Sequence, residues 1–180
     1  MRRAFGVLML AATAVSAQLV HDTTTATLEF ASGGTVKIVG SHGDLNIEGW
    51  DRPEVELTVT RSTHDPKKKL DEIGVKAART SPSEISITTS FPRRTLRRLN
   101  RGKSGLLLEY RIRVPRESHL IIQQDLGMVM VIGVTGKVEA RNCVGDIVVL
   151  APPAKEPSDL HVKLGSVSVE ETSLTPRAPQ

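Results

Sequence analysis

The sequence predicts an all-β protein: a β-solenoid or β-helix-like stack of short strands, with one short helix near residues 66–73. Three observations predict it. Gly127, Gly136 and Gly145 stand nine residues apart in "GMVMVIGVTGKVEARNCVGDIVV", and each opens a short run. Gly34 and Gly43 repeat that spacing in front of two further runs. Within most runs apolar residues fall at every second position, the period of a half-buried strand. A strand this short buries too little surface alone, so stacked copies must share one core. A meander of hairpins has the same rhythm and is the competing architecture.

The elements follow in chain order. "TATLEF", from Thr25 to Phe30, reads as the first strand. "GTVKIVG", "GDLNIEGW" and "PEVELTVT" come next, with Val36 and Ile38, then Leu45 and Ile47, two apart. In "DPKKKLDEI", Asp65 suits an N-cap and Pro66 the first helical position. Leu70 and Ile73 are three apart and Gly74 fits just past the end, which gives a helix of about two turns. "VKAART" and "EISITTS" are strands around a "SPSE" turn, and residues 91–105 form a basic loop. "LLLEYRIRVP" puts Leu108, Tyr110, Ile112 and Val114 on one face, and "SHLIIQQ" leads into the repeat.

In the repeat the inward positions are Val129, Val131, Val138, Ala140, Ile147 and Val149, and the outward ones include Met128, Lys137, Glu139 and Asp146. Val148 breaks the alternation, which predicts a partly covered outer face there. A glycine before each strand suits a bend with positive φ. Cys143, inside an alternating run, reads as a small buried residue. Residues 151–159 are a proline-rich loop. "GSVSVE" from Gly165 is a late copy with Val167 and Val169, and residues 173–180 read as a disordered tail.

Residues 1–17 have the layout of a secretory signal peptide: Arg2 and Arg3, the apolar run "AFGVLMLAATAV", and small residues before a cut between Ala17 and Gln18. A retained membrane anchor is the alternative. Residues 18–172 then make a single domain, periplasmic or secreted. The one cysteine permits no internal disulfide. Two of the 24 basic residues lie in the leader, so the remainder is nearly balanced against 20 acidic ones. Local placement of charge therefore matters more than its sum.

"GDLNIEGWDRPEVELTVT", "YRIRVP", and "GMVMVIGVTGKVEARNCVGDIVV" with "LGSVSVE" occur in this order over roughly Ala26 to Glu170. That order resembles a bacterial family of exported putative-adhesin domains of unknown function. The resemblance implies a short β-solenoid with Gly-started strands and no assigned activity. The arginine-rich insertion and the small number of late repeats depart from the family's pattern and argue against a long adhesive fibre.

Reactive chemistry is sparse. None of the five histidines has the spacing of a zinc motif, and no cofactor, metal or catalytic residue is expected. Ser41, His42 and Asp44 are adjacent in sequence and read as a polar turn rather than a triad. Asp125, Glu139, Asp146 and Lys163 are the candidates for an alternative reading, a β-helical enzyme acting on extracellular polysaccharide. Trp50, the one tryptophan, is expected to plug a corner of the core, and the scarcity of aromatics disfavours stacked sugars or single-stranded nucleic acid.

The strongest functional feature is the basic loop: Arg93, Arg94, Arg97, Arg98, Arg101 and Lys103 within eleven residues, with no acid among them. Arginine forks pair with phosphate and carboxylate. In "RRTLRRL" a helical turn would bring Leu96 and Leu99 together, as in an interfacial helix. The expectation is an exported, non-enzymatic envelope-associated binding or scaffold protein that contacts an anionic lipid or polymer surface through this loop. A purely solvating loop and a protease-sensitive site compete for the same residues. A self-assembling module is a further alternative, because a stack of strands ends in open edges.

Overall fold

The computed structural model describes residues 19–64, 70–95, 105–152 and 158–171. The described chain is mostly strand: β1 (Val20–Glu29), β2 (Thr35–His42), β3 (Asp44–Trp50), β4 (Glu54–Thr63), β5 (Gly74–Ser81), β6 (Glu84–Ser90), β7 (Leu106–Pro115), β8 (His119–Leu126), β9 (Val129–Ile132), β10 (Val138–Val144), β11 (Ile147–Ala151), β12 (Asp159–Leu164) and β13 (Val167–Glu171). Among the described residues no helix is long and apolar enough to cross a membrane.

The strands form two mixed sheets. One runs β1-β4-β7-β3-β9-β11-β13 and the other β12-β10-β8-β2-β6-β5. Four times the chain ends a strand in the second sheet, turns at a glycine and starts a strand in the first: β2 to β3 at Gly43, β8 to β9 at Gly127, β10 to β11 at Gly145, and β12 to β13 at Gly165. Neighbouring pairs are parallel and in register, so Leu45, Val129, Ile147 and Val167 lie side by side.

The glycines stack as well. The Gly43 N–H donates to the Leu126 carbonyl, Gly127 N–H to Val144 and Gly145 N–H to Leu164, each at 2.8–2.9 Å. At Gly145 φ is 125°, and a Cβ would overlap the Gly127 carbonyl oxygen, so only glycine fits. Gly136 belongs to the opposite corner, where β9 returns to β10, and its φ is not positive. The nine-residue rhythm is therefore half of a longer unit, and glycine serves its two corners for different reasons.

β6 and β7 complete a fifth pair of this kind, with residues 91–105 in place of the glycine turn. They insert between β2/β3 and the antiparallel strands β4 and β5. The chain thus places sequence-distant strands side by side, a pattern that alternation alone does not specify.

All the expected inward residues of the 127–149 repeat are buried, as are Leu108, Tyr110, Ile112 and Val114. Val148 sits between Met130 and Ser168 on the outer face and is half-buried by such neighbours.

Three readings are corrected, on the helix, Cys143 and Trp50. Of the expected helix at 66–73, Leu70–Glu72 is a short 3₁₀ turn and residues 65–69 lie outside the described residues. Its Leu70 and Ile73 are buried, and Gly74 opens β5 rather than capping a helix. Cys143 is exposed, because Asn142 takes the inward position of β10. Trp50 is half-buried at the end of β3, outside the core, with the guanidinium carbons of Arg52 and Arg113 at 5.1 and 5.6 Å from its ring centroid. Val167 and Val169 are 44% and 56% exposed, since no described strand lies beyond β13.

The two ends of the sheets differ. At the β1/β5 end, Arg61 is buried on β4. It donates to Asp22 Oδ2 (3.0 Å), Thr24 Oγ1 (3.1 Å) and the Ile73 carbonyl (3.1 Å), and so ties the edge strand and the 3₁₀ turn to the core. The β12/β13 end has no such closure among the described residues: Val169 is exposed where its neighbour Val149 is buried.

Candidate functional site

The first described residues of the basic segment lie at the glycine corner. β6 ends at Ser90, and Phe91 packs edge-on against the buried His42 ring, 5.1 Å between centroids. His42 Nδ1 lies 3.7 Å from Asp125 Oδ2. Deeper in, the Tyr110 hydroxyl is 3.1 Å from Thr89 Oγ1, and burial pushes its phenol above the ordinary value. This packing fixes where the segment departs. Residues 93–95 start a helical turn, with Arg93 and Arg94 exposed. Arg97, Arg98, Arg101 and Lys103 lie outside the described residues. The described chain resumes at Gly105 and continues into β7.

Between the glycine corner, the start of β7 and the end of β4 lies an open cavity of about 420 Å³. Leu19, Leu107 and Leu126 give it an apolar lining, and Thr60, Asp44 and Glu109 add polar groups. Leu107 is 61% exposed. Asp44 Oδ1 is already engaged by the Met128 N–H at 3.1 Å.

The residues considered for polysaccharide chemistry do not converge. Asp125, Glu139 and Lys163 project outward from β8, β10 and β12, while Asp146 lies past the glycine turn, in front of β11. A hydrogen bond from Lys137 holds the Glu139 carboxyl below its ordinary range (2.8 Å). Hydrogen bonds from the Ser166 hydroxyl (2.7 Å) and N–H (2.8 Å) do the same for Asp146. Both are thereby held ionised, opposite to what a general acid needs. Ser41 and His42 are buried, and Ser41 donates to Gln124 Oε1 (3.3 Å) rather than facing Asp44. Among the described residues no group of three His, Cys, Asp or Glu side chains could hold a metal.

Sequence reasoning missed a column of buried amides beneath the glycines. Gln124 Nε2 donates to the Gly43 carbonyl (2.9 Å) and Asn142 Nδ2 to the Gly127 carbonyl (2.7 Å). A positive-φ corner turns its carbonyl away from the strand ladder, and the amide from the next pair supplies the donor that carbonyl needs. The signal was present as "QDLG" and "NCVG", an amide three residues before the glycine. In the last pair, "VKLG", that position is Val162, which has no side-chain donor.

No protein-family model and no curated protein matches the chain. Among solved structures it is similar to a "putative cell adhesion protein" from Clostridium sporogenes, with a TM-score of 0.45 and 12% identity over 84% of this chain and 100% of that one. It is also similar to a "putative adhesin" from Bacteroides fragilis, with a TM-score of 0.28 and 11% identity over 83% and 97%. A third match is a "putative lipid binding protein" from Parabacteroides distasonis, with a TM-score of 0.29 and 12% identity over 82% and 63%.

Proposed function

We propose that this protein is an exported, non-enzymatic binding or scaffold domain of the bacterial cell envelope, built as a short β-solenoid and docked on anionic surfaces through its arginine-rich segment. The solenoid supplies stiffness: each strand pair lies on the next in register, with a continuous core between the sheets. The docking element is the one corner at which a basic segment replaces a glycine turn.

One observation carries the reading. Arg93 and Arg94 emerge exposed from a departure point fixed by Phe91 on His42, next to the exposed Leu107 and Leu126. Cations held beside apolar side chains suit a phospholipid or lipopolysaccharide headgroup layer better than bulk water.

The test is co-sedimentation of residues 18–180 with vesicles containing anionic phospholipid, beside a variant in which Arg93, Arg94, Arg97, Arg98 and Arg101 are serine. The parent pellets and the variant stays in the supernatant. Equal pelleting, or none by either protein, refutes the docking role.

A further inference from the structure

We propose that the β12/β13 end is a homodimer interface, on which a second copy of this chain pairs edge to edge about a two-fold axis. This inference is independent of the docking reading, because it concerns the opposite end of the sheets from Arg61 and uses none of the arginines at 93–101.

Among the described residues, this end lacks the covering pair that the layers before it have. Leu160, Val162, Val167 and Val169 occupy the positions that on β10 and β11 are held by Ala140, Asn142, Ile147 and Val149, all of them buried. Here Val167 and Val169 are 44% and 56% exposed. The strand edges are open as well. The Leu164 carbonyl accepts from Gly145 and the Ser166 carbonyl from Ile147, so these residues turn their backbone groups toward β10 and β11. By alternation, Asp159, His161 and Lys163 on β12, and Val167, Val169 and Glu171 on β13, turn theirs to the open side. Among the described residues no strand pairs with them. Such an edge is a template for another chain.

Charge selects a copy of the same strand as the occupant. An antiparallel β12–β12′ pair centred on His161 places Asp159 opposite the partner's Lys163 and Lys163 opposite the partner's Asp159. On the inner face it places Leu160 opposite the partner's Val162. Opposite charges facing each other across an antiparallel pair are stabilising, and like charges there are destabilising. A lone edge lysine is a device against pairing. Here Asp159, four residues away, makes the strand complementary to itself. Asp159 also lies 2.9 Å from His161 Nε2 within its own chain, which leaves its carboxylate on the outer face where the partner's lysine arrives.

The same axis passes near Val169 on β13. Ser168 then faces the partner's Glu170, and Val169 faces its own copy, with no like charges opposed. Both edges close together and the core runs on into the second copy, the isologous contact expected of a two-fold dimer.

Sedimentation equilibrium of residues 18–180 tests the proposal, together with Lys163→Asp and the exchanged double variant Asp159→Lys/Lys163→Asp. Both positions are exposed, so neither change threatens the fold. The parent is a dimer, Lys163→Asp weakens dimerisation at least tenfold, and the exchange restores it. His161→Cys in a Cys143→Ser background, oxidised at low protein concentration, gives a covalent dimer. A parent that stays monomeric at high concentration overturns the proposal. So does a dimer that Lys163→Asp leaves unchanged, since it must then use another surface.

Discussion

Replacing Gln124 by methionine isolates the buried amide column. Gln124 is 2% exposed. Its Nε2 donates to the carbonyls of Gly43 at 2.9 Å and Leu126 at 3.2 Å, and its Oε1 accepts from Ser41 Oγ at 3.3 Å. Methionine has nearly the same length and volume, and such swaps alone cost less than about 1.5 kcal/mol. The larger effect is polar. A buried carbonyl left without its donor costs about 1–3 kcal/mol, and the Ser41 hydroxyl adds less because it can rotate. Gln124→Met therefore destabilises by about 2–4 kcal/mol. Asn142 differs in one respect: its Oδ1 is buried with no hydrogen-bond partner among the described residues. Asn142→Val strands the Gly127 carbonyl but also removes that orphan, so its net cost falls to about 1 kcal/mol. Urea unfolding monitored by far-UV circular dichroism measures both, read as a shift in midpoint at constant slope. A Gln124→Met change below about 0.5 kcal/mol, or a larger loss for Asn142→Val, refutes the idea that these amides satisfy the corner carbonyls.

Two further predictions concern the corners and their charges. Gly145→Ala meets both a positive φ and the Gly127 carbonyl and loses about 3 kcal/mol. Gly33→Ala, with φ of 79° and no atom within 4 Å of its Cβ, loses only about 1, and equal losses in urea titrations contradict the stacked-corner geometry. Asp146 titrates below the ordinary carboxylate range in a carbon-detected NMR series, and Ser166→Ala raises it. Because the folded value is depressed, this carboxylate's contribution to stability is present above the unfolded value and lost as pH falls through the folded one. An ordinary titration in the parent removes the Ser166 hydrogen bonds from the account.

The strands were legible because each carries its own period-two pattern, and burial enforces it: Val36, Ile38, Leu45 and Ile47 could be assigned inward without knowing their neighbours. Pairing was not legible. β7 lies between β3 and β4 in space although it follows both in sequence, β6 likewise sits between β2 and β5, and nothing local marks that insertion. The repeat length was misread because Gly127 and Gly136 look alike in sequence, while only the first needs a positive φ. Cys143 was misplaced because the inward position beside it is held by a polar residue, Asn142, whose amide has a carbonyl to serve. At the site, the arginine cluster was visible from composition. The platform of Phe91 on His42 and the leucines beside it draw on residues spread from 42 to 126 and needed the fold.

Vesicle binding across a salt series tests the central claim most directly. Residues 18–180 are titrated with anionic vesicles from low salt to well above physiological ionic strength, beside the five-serine variant. Charge-driven docking weakens steeply as screening shortens the reach of the arginines, and the variant shows a much shallower dependence at every salt concentration. Binding that ignores salt, or a variant whose salt dependence matches the parent's, contradicts docking through residues 91–105.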